Sequence, residues 1–223
     1  MLGAYPTGST RTDSFTVPEL VTAWGQGWAV SRNTEAPTGI PGGFRVDVGL
    51  PNHRVRHVLH SCDADSLSRL GRTLTAPGTW IKACVDPAVF RAALPNWTVD
   101  VAGYLMTARF TAGTVEPAVP YTTRIVTEGR TVVATVLDAT GQVAASARLA
   151  PAGEFGTVDK VQTEPAHRRR GLGTVVMRAL ADHAVRQGMR TGILVATDDG
   201  RALYRALGWT VRSDMPGAYL PEE

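Results

Sequence analysis

A cationic, glycine-containing turn near residue 170 is the part of the chain best suited to chemistry. Residues 161–174 read V-Q-T-E-P-A-H-R-R-R-G-L-G-T, and Arg168 to Gly173 form R-x-x-G-x-G. The first amides of a helix lack intrahelical partners, and the helix dipole adds roughly half a positive charge there. The glycines let the backbone close around an anion. The turn therefore predicts a phosphate or pyrophosphate site, to which Arg168, Arg169 and Arg170 can add charge-assisted hydrogen bonds.

Two other phosphate-binding loops do not fit these residues. A P-loop requires a lysine directly after its last glycine, and Thr174 follows Gly173. The dinucleotide-binding pattern requires a third glycine three residues later, where Val176 stands.

The turn has to be held between a strand and a helix. Residues 155–163 are predicted to form the strand that precedes it. The helix that follows is indicated by apolar residues at helical spacing: Val176, Met177, Leu180, Ala181 and Ala184. The apolar run 191–197 is typical of a buried parallel strand, which would lie beside the first.

The pattern V/T-x-P-x-x-R-R-x-G-x-G resembles the GNAT superfamily of acyl-CoA-dependent N-acetyltransferases. Residues 198–209, D-D-G-R-A-L-Y-R-A-L-G-W, also resemble the family's strand-to-helix segment, which ends in L-Y-x-x-L-G-F/W. Two motifs in the family's order carry more weight than either alone. The resemblance implies an α/β (α+β) fold with a mixed, mostly antiparallel sheet flanked by helices.

The resemblance also implies a mechanism and a set of site residues. In this family an amine attacks the thioester of acetyl-CoA, an amide of strand four stabilises the oxyanion, and a tyrosine protonates the leaving thiolate. Tyr204 matches that tyrosine, with ordinary packing as the alternative. The residues that would contact acetyl-CoA, a co-substrate, are Val161, Gln162, Thr163, Arg168, Arg169, Arg170, Gly171, Leu172, Gly173 and Thr174.

The strand at residues 155–163 also carries the candidate for the general base. Regular alternation predicts that Thr157, Asp159, Val161 and Thr163 share one face. Asp159 is the only acid among them, and family members often place an acidic base on this strand. A solvated surface carboxylate is the equally weighted alternative, and a water chain or an amine that arrives neutral would also suffice.

The N-terminal half resembles a partial copy of the same unit. Residues 79–86, a helix-like segment and the sequence W-T-V at 97–99 are echoed by 191–197, a helix and W-T-V at 209–211. The first copy has no R-x-x-G-x-G, so one CoA site per chain is expected. We therefore predict a GNAT-like region without a CoA loop at 1–106 and a catalytic domain at 107–223. The two helices that usually wall the family's acceptor site have no room in the second region, so the N-terminal region should supply that wall.

Composition narrows the possible partners. The net charge of +3 is too small to indicate nucleic acid, and no apolar run approaches the length of a membrane span. Two cysteines, Cys62 and Cys84, form no metal or disulfide pattern, so a cytoplasmic location is expected. His53, His57 and His60 lack the spacing of a metal site. Segment 1–13 is expected to be frayed.

These observations predict an N-acetyltransferase that transfers the acetyl group of acetyl-CoA to an amine of a small molecule or peptide. The alternatives are another acyl-CoA, an oxygen acceptor, or a CoA-binding regulatory protein without turnover. Trp24 and Trp28 share a helical face with Leu20, which is predicted to be core rather than a substrate or dimer surface. A homodimer remains a possible state of the protein.

Overall fold

The chain folds into two mixed β-sheets with helices packed on them. The computed structural model describes residues 15–100 and 102–222, and the segment predicted to be frayed lies outside the described residues. The α-helices of the described part are α1 (Val17–Arg32), α2 (Ala64–Thr73), α3 (Pro87–Ala93), α4 (Leu172–Arg186) and α5 (Asp198–Ala206).

The described part of the chain also contains thirteen β-strands. The first five are β1 (Thr38–Ile40), β2 (Gly43–Leu50), β3 (His53–Leu59), β4 (Thr79–Ala83) and β5 (Thr98–Val99). The next five are β6 (Gly103–Arg109), β7 (Thr122–Glu128), β8 (Thr131–Leu137), β9 (Val143–Ala152) and β10 (Phe155–Thr163). The last three are β11 (Thr191–Thr197), β12 (Thr210–Asp214) and β13 (Gly217–Tyr219).

The strands are ordered β1-β2-β3-β4-β13-β5 in the first sheet and β12-β6-β11-β10-β9-β8-β7 in the second. Only the pairs β3–β4 and β10–β11 are parallel among the described pairs. The prediction of a mixed, mostly antiparallel α/β fold is therefore confirmed.

The two sheets exchange one strand each. β6 follows β5 in the chain but pairs with β11 and β12 of the second sheet. β13 follows β12 but pairs with β4 and β5 of the first sheet. With this exchange, the order β3-β4-β13-β5 matches β10-β11-β6-β12 strand for strand. The sequence repeat equates β4 with β11 and β5 with β12, which agrees with this order.

The predicted division between residues 106 and 107 falls within β6, which belongs to the second sheet. The C-terminal strand β13 belongs to the first sheet. Strand exchange thus interleaves the two predicted regions, and their description as separate domains stays a prediction.

Helix α1 lies between the sheets. It begins with a capping box, in which Thr16 accepts from the Glu19 amide and the Glu19 side chain accepts from the Thr16 amide. Its apolar face, which includes Trp24 and Trp28, joins a core cluster with residues of both sheets. Each of these two indoles is only 3% exposed and belongs to the core, as predicted, and each also lines a cavity.

Helix α4 covers the opposite face of the second sheet. Its apolar residues form the largest core cluster with residues of β8, β9 and β10, among them Leu149 and Val158. Helix α1 reaches the other face, because a Cβ built on Gly27 would lie 2.2 Å from Oγ1 of Thr157 on β10. The second sheet is therefore enclosed by α1 on one side and α4 on the other, and β10 lies between them.

Candidate active site

Strands β10 and β11 separate after a short paired stretch. Three pairs join residues 155–157 to 191–193, while β10 continues to Thr163 and β11 to Thr197. The equivalent strands of the first sheet stay together, because all five residues of β4 pair with 55–59 of β3. A gap between parallel strands is thus present in the second sheet and closed at the matching place in the first.

A β-bulge interrupts β10 beside this gap. The register against β9 shifts between Asp159, which is opposite Arg148, and Gln162, which is opposite Ser146. The extra residue of the bulge is accommodated at Lys160, which has a positive φ of 50°. A bulge reverses the alternation of the residues that follow it, so Gln162 lies on the face of Asp159.

The predicted common face of Thr157, Asp159, Val161 and Thr163 is therefore wrong beyond Lys160. Val161 packs against the core cluster under α4, and a Cβ built on Gly173 of that helix would lie 3.9 Å from Oγ1 of Thr163. Asp159 instead points toward α1.

A groove of about 980 Å³ runs from the gap to the start of α4. Nine of the ten residues that the sequence assigned to acetyl-CoA line it: Val161, Gln162, Thr163, Arg168, Arg169, Gly171, Leu172, Gly173 and Thr174. The tenth, Arg170, does not line it. Its guanidinium donates to the hydroxyl of Tyr121 at 2.7 Å and lies 6.0 Å from the centre of that ring.

The turn before α4 has the geometry of an anion cradle. Gly171 caps the helix in the left-handed conformation, with φ of 76° and no side-chain cap. A Cβ built there would meet nothing within 4 Å, so the space in front of the first helical amides is open. Arg169, two residues before Gly171, is also left-handed, with φ of 62°, and Arg168 donates to the carbonyl of Thr163 at 3.3 Å.

A hydrogen-bonded network of Tyr121, His167 and Arg170 supports this turn. The Tyr121 hydroxyl lies 2.9 Å from Nδ1 of His167, while Nε2 of that ring lies 3.6 Å from Asp138 in the β8–β9 turn. Together with the Arg170 contact, it fixes the turn to the neighbouring hairpin. Tyr121 had no signal in the sequence, because its partners are more than 40 residues away.

Tyr204 stands where the groove meets a second cavity. It is 8% exposed, packs against Trp209 at 6.1 Å between ring centres, and lines both spaces. Burial, with a smaller contribution from the charge of Asp159, raises the pKa of Tyr204 to about 12. The phenol therefore keeps its proton at neutral pH and can donate it.

The second cavity, which we call the acceptor chamber, has a volume of about 730 Å³. It shares four lining residues with the groove: Val161, Gln162, Thr197 and Tyr204. Residues of α1 and the first sheet form its far side, namely Trp24, Trp28, Arg32, Arg56 and Lys82. The N-terminal part of the chain thus forms one wall of this chamber, and that the chamber receives the acceptor stays a prediction.

Asp159 lines the acceptor chamber but is engaged by α1. Arg32 donates to both of its carboxylate oxygens, at 2.6 and 2.9 Å, and the Ser31 hydroxyl lies at 3.0 Å. Burial alone would raise the pKa of Asp159, but the hydrogen bonds and charge of Arg32 outweigh it, so the pKa lies below its ordinary value. A carboxylate held in this way is a weak proton acceptor at neutral pH.

The described residues contain no group of three or more His, Cys, Asp or Glu side chains arranged to hold a metal. His53 lies between the rings of Trp28 and Trp80, where burial and the charge of Arg56 lower its pKa to about 3. Among the described helices, none is long and apolar enough to span a bilayer.

Proteins of known structure share this architecture. A GCN5-related N-acetyltransferase from Kribbella flavida superposes with a TM-score of 0.64 at 15% identity, over 92% of this chain and 96% of that chain. Residues 136–215 match the family model described as FR47-like protein. The chain has the GNAT fold. The fold expected from the resemblance is thereby confirmed.

Further structures with the GNAT fold include a putative acetyltransferase from Novosphingobium aromaticivorans. It is 18% identical, with a TM-score of 0.57 over 92% of this chain and 99% of that chain. A tandem GNAT protein from the clavulanic acid biosynthesis pathway is 14% identical, with a TM-score of 0.51 over 76% of each chain. No curated protein sequence matches the chain.

Proposed function

We propose that this protein is an N-acetyltransferase that transfers the acetyl group of acetyl-CoA to an amine of a small molecule or peptide. The observation that carries the proposal is the continuous path from the anion cradle, along the gap between β10 and β11, to Tyr204 and the acceptor chamber. One such path is expected per chain, because β3 and β4 are closed at the equivalent place.

The groove suits each part of acetyl-CoA. The edge of β10 after residue 157 has no strand partner on its β11 side, so its backbone groups are free to pair with the amides of pantetheine as an added strand would. The open space at Gly171 suits the pyrophosphate, with Arg168 and Arg169 beside it. When bound, acetyl-CoA would supply the acyl group as a thioester.

The chain's own part in the reaction is to orient the groups and to move a proton. The amine nitrogen forms a bond to the carbonyl carbon and loses a proton, while the carbon–sulfur bond breaks and the thiolate gains one. Tyr204 is the proton donor that we assign, because its hydroxyl lies at the junction of the two spaces and stays protonated at neutral pH.

Asp159, which the sequence analysis offered as the general base, does not have that role in this proposal. Because Arg32 holds both of its oxygens, we assign it to positioning α1 against β10 rather than to accepting the amine proton. An amine that enters in its neutral form needs no base on the enzyme, and solvent in the acceptor chamber can take the proton after attack.

Calorimetric titration with acetyl-CoA tests the donor site. Saturable binding at one site per chain is expected, and Gly171→Asp should abolish it by placing a carboxylate where the pyrophosphate lies. Gly129→Asp is a matched control, because Gly129 is also left-handed, at φ 61°, with open space around it, and lies in the β7–β8 turn away from the groove.

Turnover is tested by screening amines for release of the CoA thiol. Acetyl-CoA binding without release by any amine would leave a regulatory CoA-binding protein, and release with hydroxyl compounds alone would make it an O-acyltransferase. Tight binding of longer acyl-CoAs in preference to acetyl-CoA would change the donor. If no acyl-CoA binds the wild-type protein, the proposal is wrong.

A further inference from the structure

The acceptor chamber carries a marked excess of positive charge. Its charged lining consists of five cationic side chains, Arg32, Arg56, Lys82, Arg148 and Lys160, and two acidic ones, Asp100 and Asp159. Arg32 and Asp159 neutralise each other, and Arg148 donates to the carbonyl of Ser31. The remaining charges are not balanced within the chamber, and two of the remaining cations are buried.

Arg56 is the first of these buried cations. Its residue is 9% exposed, and within the described residues it forms no ion pair and its Nε has no hydrogen-bond partner. Its guanidinium lies 4.9 Å from the ring of Trp28 and 5.4 Å from that of Trp80. A cation–π contact uses the charge of the guanidinium and not its N–H groups, which leaves those groups available to a ligand.

Lys82 is the second. It is 8% exposed and has no acidic oxygen within 4 Å among the described residues, although Asp100 lies on the same cavity wall. Its ammonium lies close to the backbone of the exchanged strands, since a Cβ built on Gly103 or Gly217 would come within 3.3 or 3.1 Å of Nζ. Burial, and then the charge of Arg56, lowers the pKa of Lys82 to about 8.

Two buried cations in one cavity are costly unless an anion joins them. We infer that Arg56 and Lys82 bind the anionic group, a carboxylate or a phosphate, of the amine that is acetylated. This inference rests on the proposed function and names its substrate class. The anion would lie at the α1 and β4 side of the chamber, and the amine would extend to Tyr204, where the chamber meets the groove.

The chamber's volume agrees with such a ligand. Small-molecule sites enclose about 300 to 1,000 Å³ and use a few polar groups to fix orientation. At about 730 Å³ the chamber lies within that range, with indoles of Trp24 and Trp28 as apolar walls. One anchored anion and one amine near the thioester would define how the acceptor is oriented.

The test compares matched acceptors that differ in one charge. Calorimetry on the CoA-bound protein keeps anions out of the cradle at Gly171, and the probes are L-phenylalanine against L-phenylalaninamide and phosphoethanolamine against ethanolamine. We expect the anionic member of at least one pair to bind roughly 10- to 100-fold more tightly, as for one or two charge-assisted hydrogen bonds. The pair that shows the preference distinguishes a carboxylate from a phosphate.

Substitutions of Arg56 and Lys82 test whether these two side chains cause the preference for the anionic acceptor. Arg56→Met and Lys82→Met should each remove most of that preference while leaving acetyl-CoA affinity unchanged. Arg54→Met is the matched control on the same strand, because that side chain is 51% exposed, pairs with Glu222 and lies outside the chamber. Removing an unpaired buried cation should not lower the melting temperature, so a variant that melts early would point to a structural role for the Arg56–indole contacts.

The outcomes separate this inference from the proposed function. If acetyl-CoA binds but neither anion is preferred, or if the preference survives in Arg56→Met and Lys82→Met, the inference is wrong and the donor site stands. If acetyl-CoA does not bind, the proposed function fails. The anion site is then tested alone with inorganic phosphate on Gly171→Asp, where retained binding that is lost with Lys82→Met supports it and absent binding overturns it.

Discussion

Replacing Tyr204 by phenylalanine removes one hydroxyl at the junction of the groove and the acceptor chamber. The ring is 8% exposed and its packing against Trp209 is kept. No described residue forms a hydrogen bond with the hydroxyl, so the free energy of unfolding should change by less than about 1 kcal/mol. Loss of a positioned general acid lowers a rate by roughly 10²- to 10⁴-fold, which corresponds to about 2.7 to 5.4 kcal/mol of transition-state stabilisation.

The assay is thiol release at saturating acetyl-CoA, with kcat followed against pH. Because the pKa of Tyr204 is about 12, only about one phenol in 10⁴ is ionised at pH 8, and its ionisation should not reduce kcat below about pH 11. The variant should bind acetyl-CoA as the wild type does. Tyr104→Phe is the control, since it removes a phenol that donates to Asp198, the first residue of α5, but lies outside both cavities.

A kcat for Tyr204→Phe within two- to threefold of wild type would refute the reasoning and leave Tyr204 as a packing residue. A large rise in the acetyl-CoA dissociation constant with an unchanged kcat would assign it to binding instead. An alkaline fall of kcat near pH 8 or 9 that disappears in the variant would show that the phenol ionises well below pH 12 and would refute the argument from its burial.

Further perturbations test how α1 is held on β10. Arg32→Gln should lower the free energy of unfolding by about 1 to 3 kcal/mol at pH 7, as measured with denaturant, since it leaves the Asp159 carboxylate without its ion pair. The lowered pKa of Asp159 means that the pair stabilises the fold fully above about pH 4 and that this stabilisation is lost as the pH falls through the folded value, so Arg32→Gln should flatten the acid end of the stability curve. Asp159→Asn should leave the pH profile of kcat/KM near neutrality unmoved, and a profile that shifts would restore Asp159 as the base. Gly27→Ala should cost about 1 to 3 kcal/mol by overpacking, because its Cβ would lie 2.2 Å from Oγ1 of Thr157, whereas Gly39→Ala has open space and should be neutral.

The sequence predicted those features whose signals are local. The cradle was predictable because arginines and glycines at fixed spacing lead directly into an amphipathic helix, and nine of its ten assigned residues line the groove. Arg170 was the exception. Three consecutive arginines share one motif, but the direction of each side chain depends on its neighbours, and Tyr121 draws Arg170 away.

Features that depend on distant partners were not predictable. Asp159 was recognised as an unusual acid, but its partner Arg32 is 127 residues away in the chain. The bulge at Lys160 had no signal either, because lysine does not favour positive φ, and it reversed the predicted direction of Val161 and Thr163. The repeat indicated which strands are equivalent, but equivalence does not say which sheet a strand joins.

The exchange of β6 and β13 has a consequence for how the molecule is made. β5 pairs only with β13 among the described strands, so the first sheet cannot be completed until residue 219 has left the ribosome. β6 is synthesised about 90 residues before β11 and about 110 before β12, so it stays without its two partner strands until they emerge. Contacts so distant along the chain slow folding and leave strand edges unpaired meanwhile. Neither sheet can therefore fold completely without a strand from the other part of the chain. A nascent chain released before β13 would leave the edges of β4 and β5 open to pairing with other strands.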